Sequence, residues 1–379
     1  MSYISINSDQ LFHNFNFLDE LFSQHQIDWA IVGKLLCGNE TFLKVLLAMT
    51  DKEICDSRLS NLKAIKRISP ETNTIYIKPP AKRLARSIVE FADVSFNTEI
   101  ETMKALSAEA VIQNKMHRVV LMVEMGELRE GIMLKNLMDF YEEVLELPHL
   151  EIVGLGTNLC CLNGILPDED KLKTLAWCRN ILEEKFGRKI PYISGGSSVT
   201  LPLLFRNEVP TAINHFRIGE TLFFGTDVYA DRLIPGMCPD VFTLSAEVIE
   251  LSEKPVLPTG TAGTNLTGDT PEFSEEDRNR SSVRAIVDVG LLDTDFNNIM
   301  PKLQGISIIG ASSDMLILDL EDNSYGIRVG DTLEFSMNYM AVLRAMNSDY
   351  VDKKVMPFSN SAAGKKARKS NGFSYISQT

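Results

Sequence analysis

Three stretches of the chain carry residue types that could do chemistry together. Lys34 follows the apolar run Ala30-Ile31-Val32-Gly33, so it stands at the mouth of a predicted buried strand. In partly dry surroundings a lysine more readily sheds its proton, and the neutral amine is a nucleophile toward aldehydes. Ser194-Gly195-Gly196-Ser197-Ser198 is a glycine-serine turn ahead of a short predicted helix. Its glycines would let backbone N–H groups approach an oxyanion, and its hydroxyls would add donors. Arg217-Ile218-Gly219-Glu220 ends another apolar strand with a permanent cation and a further glycine. Taken singly, each has an ordinary reading: a solvated lysine, a plain turn, a salt bridge between Arg217 and a nearby acid.

The elements that must position these residues follow a regular alternation. Strands are predicted at Asp28–Gly33, Glu53–Cys55, Thr74–Lys78, Asp93–Asn97, Arg118–Met125, Glu151–Gly156, Pro191–Gly195 and Asn214–Ile218, with helices between them. Asn7 or Ser8 would cap a first helix to about Gln24, Asn39 a second, and Asp168–Phe186 forms a long one. Strand-helix alternation implies parallel pairing through crossovers. Eight repeats in about 200–250 residues is the size of a (β/α)8 TIM-type barrel. A doubly wound sheet competes, but no GxGxxG follows the first strand.

After Pro235-Gly236 the pattern turns to strands: Phe242–Leu251, Val283–Val289, Ile306–Ile309, Met315–Leu320 and Asp331–Ser336, then a helix at Met340–Met346. We therefore expect a barrel over 1–235 and a smaller all-β domain over 236–355. A surface loop is expected within 255–282 and a disordered tail over 356–379.

Composition narrows the partners. A net charge of −13 argues against nucleic acid and against anionic membranes. No apolar run approaches a membrane span and no signal peptide begins the chain, so a cytoplasmic location is expected. The six cysteines and five histidines lack metal-ligand spacing, so no metal is expected.

In a barrel, chemistry sits at the C-terminal ends of the strands, and the loops after strands seven and eight are the usual phosphate site. Lys34 ends strand one, the glycine-serine turn follows strand seven, and Arg217 ends strand eight. An aldehyde that needs an amine, a phosphate that needs backbone donors and a ring nitrogen that needs a partner together describe pyridoxal 5'-phosphate (PLP).

These motifs, with Cys55-Asp56-Ser57-Arg58, Leu128-Arg129-Glu130-Gly131, Gly156-Thr157-Asn158-Leu159-Cys160-Cys161 and Gly310-Ala311-Ser312-Ser313-Asp314, resemble the alanine/ornithine racemase family of fold type III PLP enzymes over about 1–355. The resemblance implies that Lys34 carries the cofactor and is one catalytic base, and that Arg217 hydrogen-bonds the pyridine nitrogen. It places Arg129 near the ring hydroxyl and the substrate carboxylate, and Asn158 where a histidine is usual. Ser194, Gly196, Ser197, Ser198, Gly219 and Glu220 would hold the phosphate. An arginine at the ring nitrogen favours racemisation; decarboxylases of this fold usually carry a glutamate there. The family's second base is a tyrosine in a Gly-Tyr-Ala-Asp string, but here the string is Gly290-Leu291-Leu292-Asp293. Asp293, Asp314, Tyr339 and Cys160 are the candidates to replace it. Asp314 could instead pair with the distal amine of ornithine or lysine. The expectation is a homodimeric racemase of alanine, serine or a basic amino acid. The alternatives are a decarboxylase of the same fold and a PLP-binding protein without turnover.

Overall fold

The structure is a computed structural model that describes residues 2–230, 232–261, 263–264, 268, 277 and 279–356. The tail expected over 356–379, apart from Met356, and part of the 255–282 loop lie outside these residues.

The chain opens on strand β1 (Tyr3–Asn7), and Ser8–Gln24 forms the first helix. Eight strands follow: β2 (Asp28–Val32), β3 (Ile54–Asp56), β4 (Thr74–Tyr76), β5 (Val94–Asn97), β6 (His117–Met122), β7 (Leu150–Gly156), β8 (Tyr192–Ser197) and β9 (His215–Ile218). Each pairs in parallel with the next, and β9 pairs with β2 to close a barrel. Alternate residues point inward, which is the two-residue period of a strand. Ala30, Val32, Val94, Phe96, Val120, Met122 and Val153 form the buried core. Asn39 caps the helix Glu40–Leu47 through its side chain, and Asp168 does the same for Glu169–Phe186, which Gly187 ends in the left-handed conformation at φ +64°.

A short hairpin, β10 (Thr226–Asp227) with β11 (Arg232–Leu233), follows the barrel. The remaining strands are β12 (Phe242–Pro255), β13 (Ser281–Val287), β14 (Ile299–Pro301), β15 (Ser307–Ala311), β16 (Leu316–Asp319), β17 (Thr332–Met337) and β18 (Asp352–Met356). With β1 they form one eight-stranded sheet, in which β14-β17-β12-β13-β16-β15 run antiparallel in that order and β18 attaches through β1. The long strand β12 pairs with β17 along its first half and β13 along its second, with a register shift between Val248 and Glu250.

The chain divides into two compact units, 9–239 with the barrel, and 1–8 joined to 240–357. Strand β1 therefore belongs to the β unit, although the sequence reading placed residues 1–235 in the barrel. The reason is pairing: β1 runs antiparallel to β12 and parallel to β18, so both of its edges are satisfied there.

Candidate active site

Lys34, Arg217 and the glycine-serine turn lie on three neighbouring barrel strands. Strand β9 sits between β8 and β2, with Ser197 opposite Arg217 on one side and Ala30 opposite it on the other. Past the strand ends, an added Cβ on Gly219 would come within 3.1 Å of Val32, two residues before Lys34. The three motifs therefore share one end of the barrel.

Lys34 differs from expectation in its surroundings. The chain leaves β2 in a 3-10 turn, Gly33–Leu36, in which Gly33, Leu35 and Leu36 are buried and Lys34 is exposed. Three apolar neighbours take the inward positions, so the lysine projects outward. Its neighbour Asp56, the last residue of β3, is 1% exposed. Burial pushes the Asp56 carboxyl up to about 6, against hydrogen bonds from the Arg58 N–H at 2.8 Å and Asn61 Nδ2 at 3.1 Å and the charge of Lys34.

Arg217 is 5% exposed and lies 5.2 Å from the Phe96 ring centroid. It donates to the Ser194 carbonyl at 3.0 Å, to Ser194 Oγ, and to the Thr157 carbonyl at 2.7 Å. Among the described residues no carboxylate pairs with it, and burial pulls its pKa down. Ser194 Oγ, which accepts from Arg217, also shares a hydrogen bond with His215 Nδ1, 2.7 Å away. His215 is held neutral by burial, then by the Arg217 charge, with its pKa down to about 3. Its Nε2 lies 4.0 Å from Glu53, whose carboxyl burial raises, and with the imidazole neutral the two form no ion pair.

The turn after β8 is built differently from the sequence reading. Ser194 is fully buried and serves the Arg217–His215 relay rather than an anion. Gly196 is glycine for packing: a Cβ there would lie 2.1 Å from the Phe216 ring. Ser197 and Thr200 form a reciprocal capping box. Ser198 Oγ accepts from the N–H groups of Gly219 (3.4 Å) and Thr221 (3.3 Å), which stitches the β8 and β9 turns together. Glu220 begins the short helix Glu220–Phe224.

The loops after β6 and β7 bring the remaining candidates. Arg129 forms a two-pronged ion pair with Glu130. Asn158 Nδ2 lies 3.2 Å from Cys161 Sγ. Cys160 is half-buried, and burial first, then the charges of Cys161, Glu127 and Glu220, push its thiol up. These loops are pinned by Glu127, to which the sequence reading assigned no role. Its carboxylate accepts from the N–H groups of Cys160 (3.1 Å), Leu162, Asn163 (3.0 Å) and Ile165 (3.1 Å). Burial raises this carboxyl, but the four donors outweigh it and hold the pKa below the usual range. Gly131, at φ +150°, leaves no room for a side chain: an added Cβ would lie 2.6 Å from the Glu124 backbone nitrogen.

Asp293 and Asp314 lie in the β unit, so neither is among the groups the barrel gathers. Asp293 is buried and accepts from the Gly290 N–H at 3.2 Å and Ser348 Oγ at 2.7 Å, a fully engaged turn carboxylate. Asp314 is exposed and accepts from Ser313 Oγ. Among the described residues no cluster of three metal-ligating side chains occurs, and no helix is long and apolar enough to cross a membrane.

Comparison with known proteins places this geometry. Residues 6–227 match the family described as alanine racemase, N-terminal domain. The ornithine racemase of Acetoanaerobium sticklandii is 34% identical over 93% of this chain and 99% of that protein. The lysine racemase of Thermotoga maritima is 30% identical over 93% of this chain and 98% of its own length. The fold matches that of an alanine racemase from Bartonella henselae with covalently bound pyridoxal phosphate, with a TM-score of 0.69 at 14% identity over 94% and 99% of the two chains. With its eight-stranded barrel, its lysine and arginine on adjoining strands, and relatives spanning nearly its whole length, the chain belongs to the alanine racemase family and is an amino-acid racemase.

Proposed function

We propose that this racemase uses PLP and inverts a free basic amino acid of the ornithine and lysine class. The residues at the barrel mouth fit the cofactor. Arg217 is a buried cation without an acid partner, suited to donate to a pyridine nitrogen, and this observation carries the reading. Beside it, Thr157 Oγ1 is buried without a hydrogen-bond partner. The Gly219 and Thr221 N–H groups already converge on one oxygen, as binding a phosphate oxygen requires. Lys34 Nζ would take the aldehyde carbon. Ser197, Ser198, Gly219 and Glu220 would hold the phosphate, with Arg129 and Asn158 beside the ring.

When bound, PLP would tether the substrate amine and accept the electron pair left at Cα. Lys34 Nζ moves the Cα proton on one face. Arg217 keeps its own protons, since a guanidinium stays protonated in proteins, and so would offer the ring a hydrogen bond without transferring a proton. That restraint favours return of a proton over loss of carbon dioxide. Leu291 cannot move a proton, so the opposite face needs a group other than the family's tyrosine. The ornithine and lysine racemases that match nearly the whole chain favour a substrate with a second, distal ammonium. The assembly we propose is a homodimer, which sedimentation would check.

The test is incubation of the pure protein and PLP with L-ornithine, L-lysine, L-alanine, L-serine and L-histidine, followed by chiral chromatography and amine analysis. D-ornithine or D-lysine should form fastest. Release of the corresponding diamine would favour the decarboxylase, and PLP binding with no optical change in any substrate would sink the racemase reading.

A further inference from the structure

A second cationic cavity opens on the barrel mouth, over β3 and β4 rather than β8 and β9. Two short sequences build it: Asp56-Ser57-Arg58 after β3 and Lys78-Pro79-Pro80-Ala81-Lys82-Arg83 after β4. The paired prolines restrict the second loop to an extended path. The cavity measures about 420 Å³, and its wall includes Ser57, Arg58, Ser60, Tyr76, Lys78 and Arg83. That volume falls in the range of small-molecule sites.

Charge at this place runs against the rest of the molecule. Acids outnumber basic residues 51 to 38, so a surface cation readily finds a partner. Lys82 pairs with Glu101 at 3.2 Å, and Lys66 with Asp93 at 2.7 Å. Arg58, Lys78 and Arg83 make no ion pair with any described residue. The nearby Asp56 carboxylate is already engaged by the Arg58 N–H and Asn61 Nδ2. The helix Leu59–Ile68 also begins here with no side-chain cap, so its positive end adds to the field.

Tyr76 is an independent sign of a ligand. The residue is 1% exposed, it lines the cavity, and its hydroxyl has no hydrogen-bond partner among the described residues. With no acceptor among the described residues, its proton is available to a ligand in the cavity. An oxyanion seated between the three cations would supply that acceptor.

We propose that this cavity binds a small oxyanion of the carboxylate or phosphate class, at a site separate from the turns after β8 and β9. Two sources share that chemistry: free phosphate, and the carboxylate of an amino acid held without reaction at Lys34. The experiment is isothermal titration of the PLP-saturated protein, so that the main phosphate position is filled. Inorganic phosphate is one probe. N-acetylalanine is the other, since it carries the carboxylate but no free amine to react.

The wild type should bind at least one probe with a Kd on the order of 1 mM or tighter, weakening with added salt. The Lys78→Met/Arg83→Met variant should lose at least tenfold in affinity, and Tyr76→Phe severalfold, with the melting temperature of each variant reported as a check on folding. Binding of phosphate alone assigns the site to free phosphate. Binding of N-acetylalanine assigns it to carboxylates. No binding to the wild type at tens of millimolar, or equal affinity in the folded double variant, overturns the proposal.

Discussion

Two aspartates sit at opposite ends of the barrel, and their charges meet opposite treatment. Asp93 precedes β5 at the floor. Its carboxylate accepts from Lys66 Nζ at 2.7 Å, the Thr74 N–H at 2.8 Å and Thr74 Oγ1 at 3.1 Å. Burial works to raise its pKa, but these donors and the Lys66 charge hold it below the usual range. Asp56 ends β3 at the mouth and keeps enough of the burial penalty to titrate near 6. The same contrast holds for cations: Lys66 at the floor is paired, whereas Arg217 near the mouth is buried with no acid. The satisfied Asp93–Lys66 pair at the floor contributes stability. The unpaired Arg217 near the mouth has interactions left to make with a ligand, which is how perturbed groups mark functional sites.

Substitutions at the two ends should therefore separate activity from stability. Lys34→Ala should lower racemisation by roughly 10⁴-fold or more and abolish the visible absorption of bound PLP, with little change in melting temperature. A variant that keeps that absorption would break the assignment. Arg217→Gln should reduce kcat by about 10²–10³-fold, as for loss of one preorganised electrostatic donor, measured by chiral chromatography against time. At the floor, Asp93→Ala should cost about 1–3 kcal/mol in urea unfolding, because the Thr74 N–H and Lys66 Nζ lose a shared acceptor, while kcat stays within about twofold.

The smallest expected effect is in pH dependence. The folded pKa of Asp56 lies above its unfolded value, so its favourable contribution is present below about pH 4 and lost as pH rises through 6. His117, held near 4, and His215, held near 3, act in the other direction, since their contribution is lost as pH falls from about 6.5. The two trends offset in the wild type. Subtracting wild-type from Asp56→Asn stability at pH 4.5 and pH 7 isolates the first, and the variant should gain up to about 2 kcal/mol relative to wild type across that interval. A difference that does not change with pH would show that Asp56 is handled no differently from Asp93.

How much of this could be read from residues depended on how local the cause was. The barrel strands announce themselves as apolar runs at regular intervals, since a strand covered on both faces needs no partner's identity to be recognised. Arg217 and the glycine-serine turn were legible because barrel strand ends have a fixed meaning. The reasons behind individual residues were less so. Gly196 is glycine because of the Phe216 ring twenty residues on, and Ser194 serves Arg217 and His215 on the next strand. Glu127 went unremarked because its four donors come from a loop more than thirty residues later. Lys34 was expected in dry surroundings, which depended on a 3-10 turn that its own neighbours decide. Strands β1 and β18 are hard to read locally because they are completed by distant partners, and Asp352–Met356 carries two lysines in five residues, while β14 has only three residues.

The pairing of β1 between β12 and β18 has a consequence for the order of assembly. The barrel unit is one continuous stretch and can close as soon as β9 has been made. The β unit needs its first strand to wait for partners some 240 and 350 positions later in the chain. Contacts that distant in sequence form slowly, so the barrel should fold during synthesis and the sheet only after β18 emerges. A fragment beginning at residue 240 would lack the strand between β12 and β18, leaving two open edges prone to aggregation. A circular permutant that carries residues 2–8 after residue 356 would restore it locally.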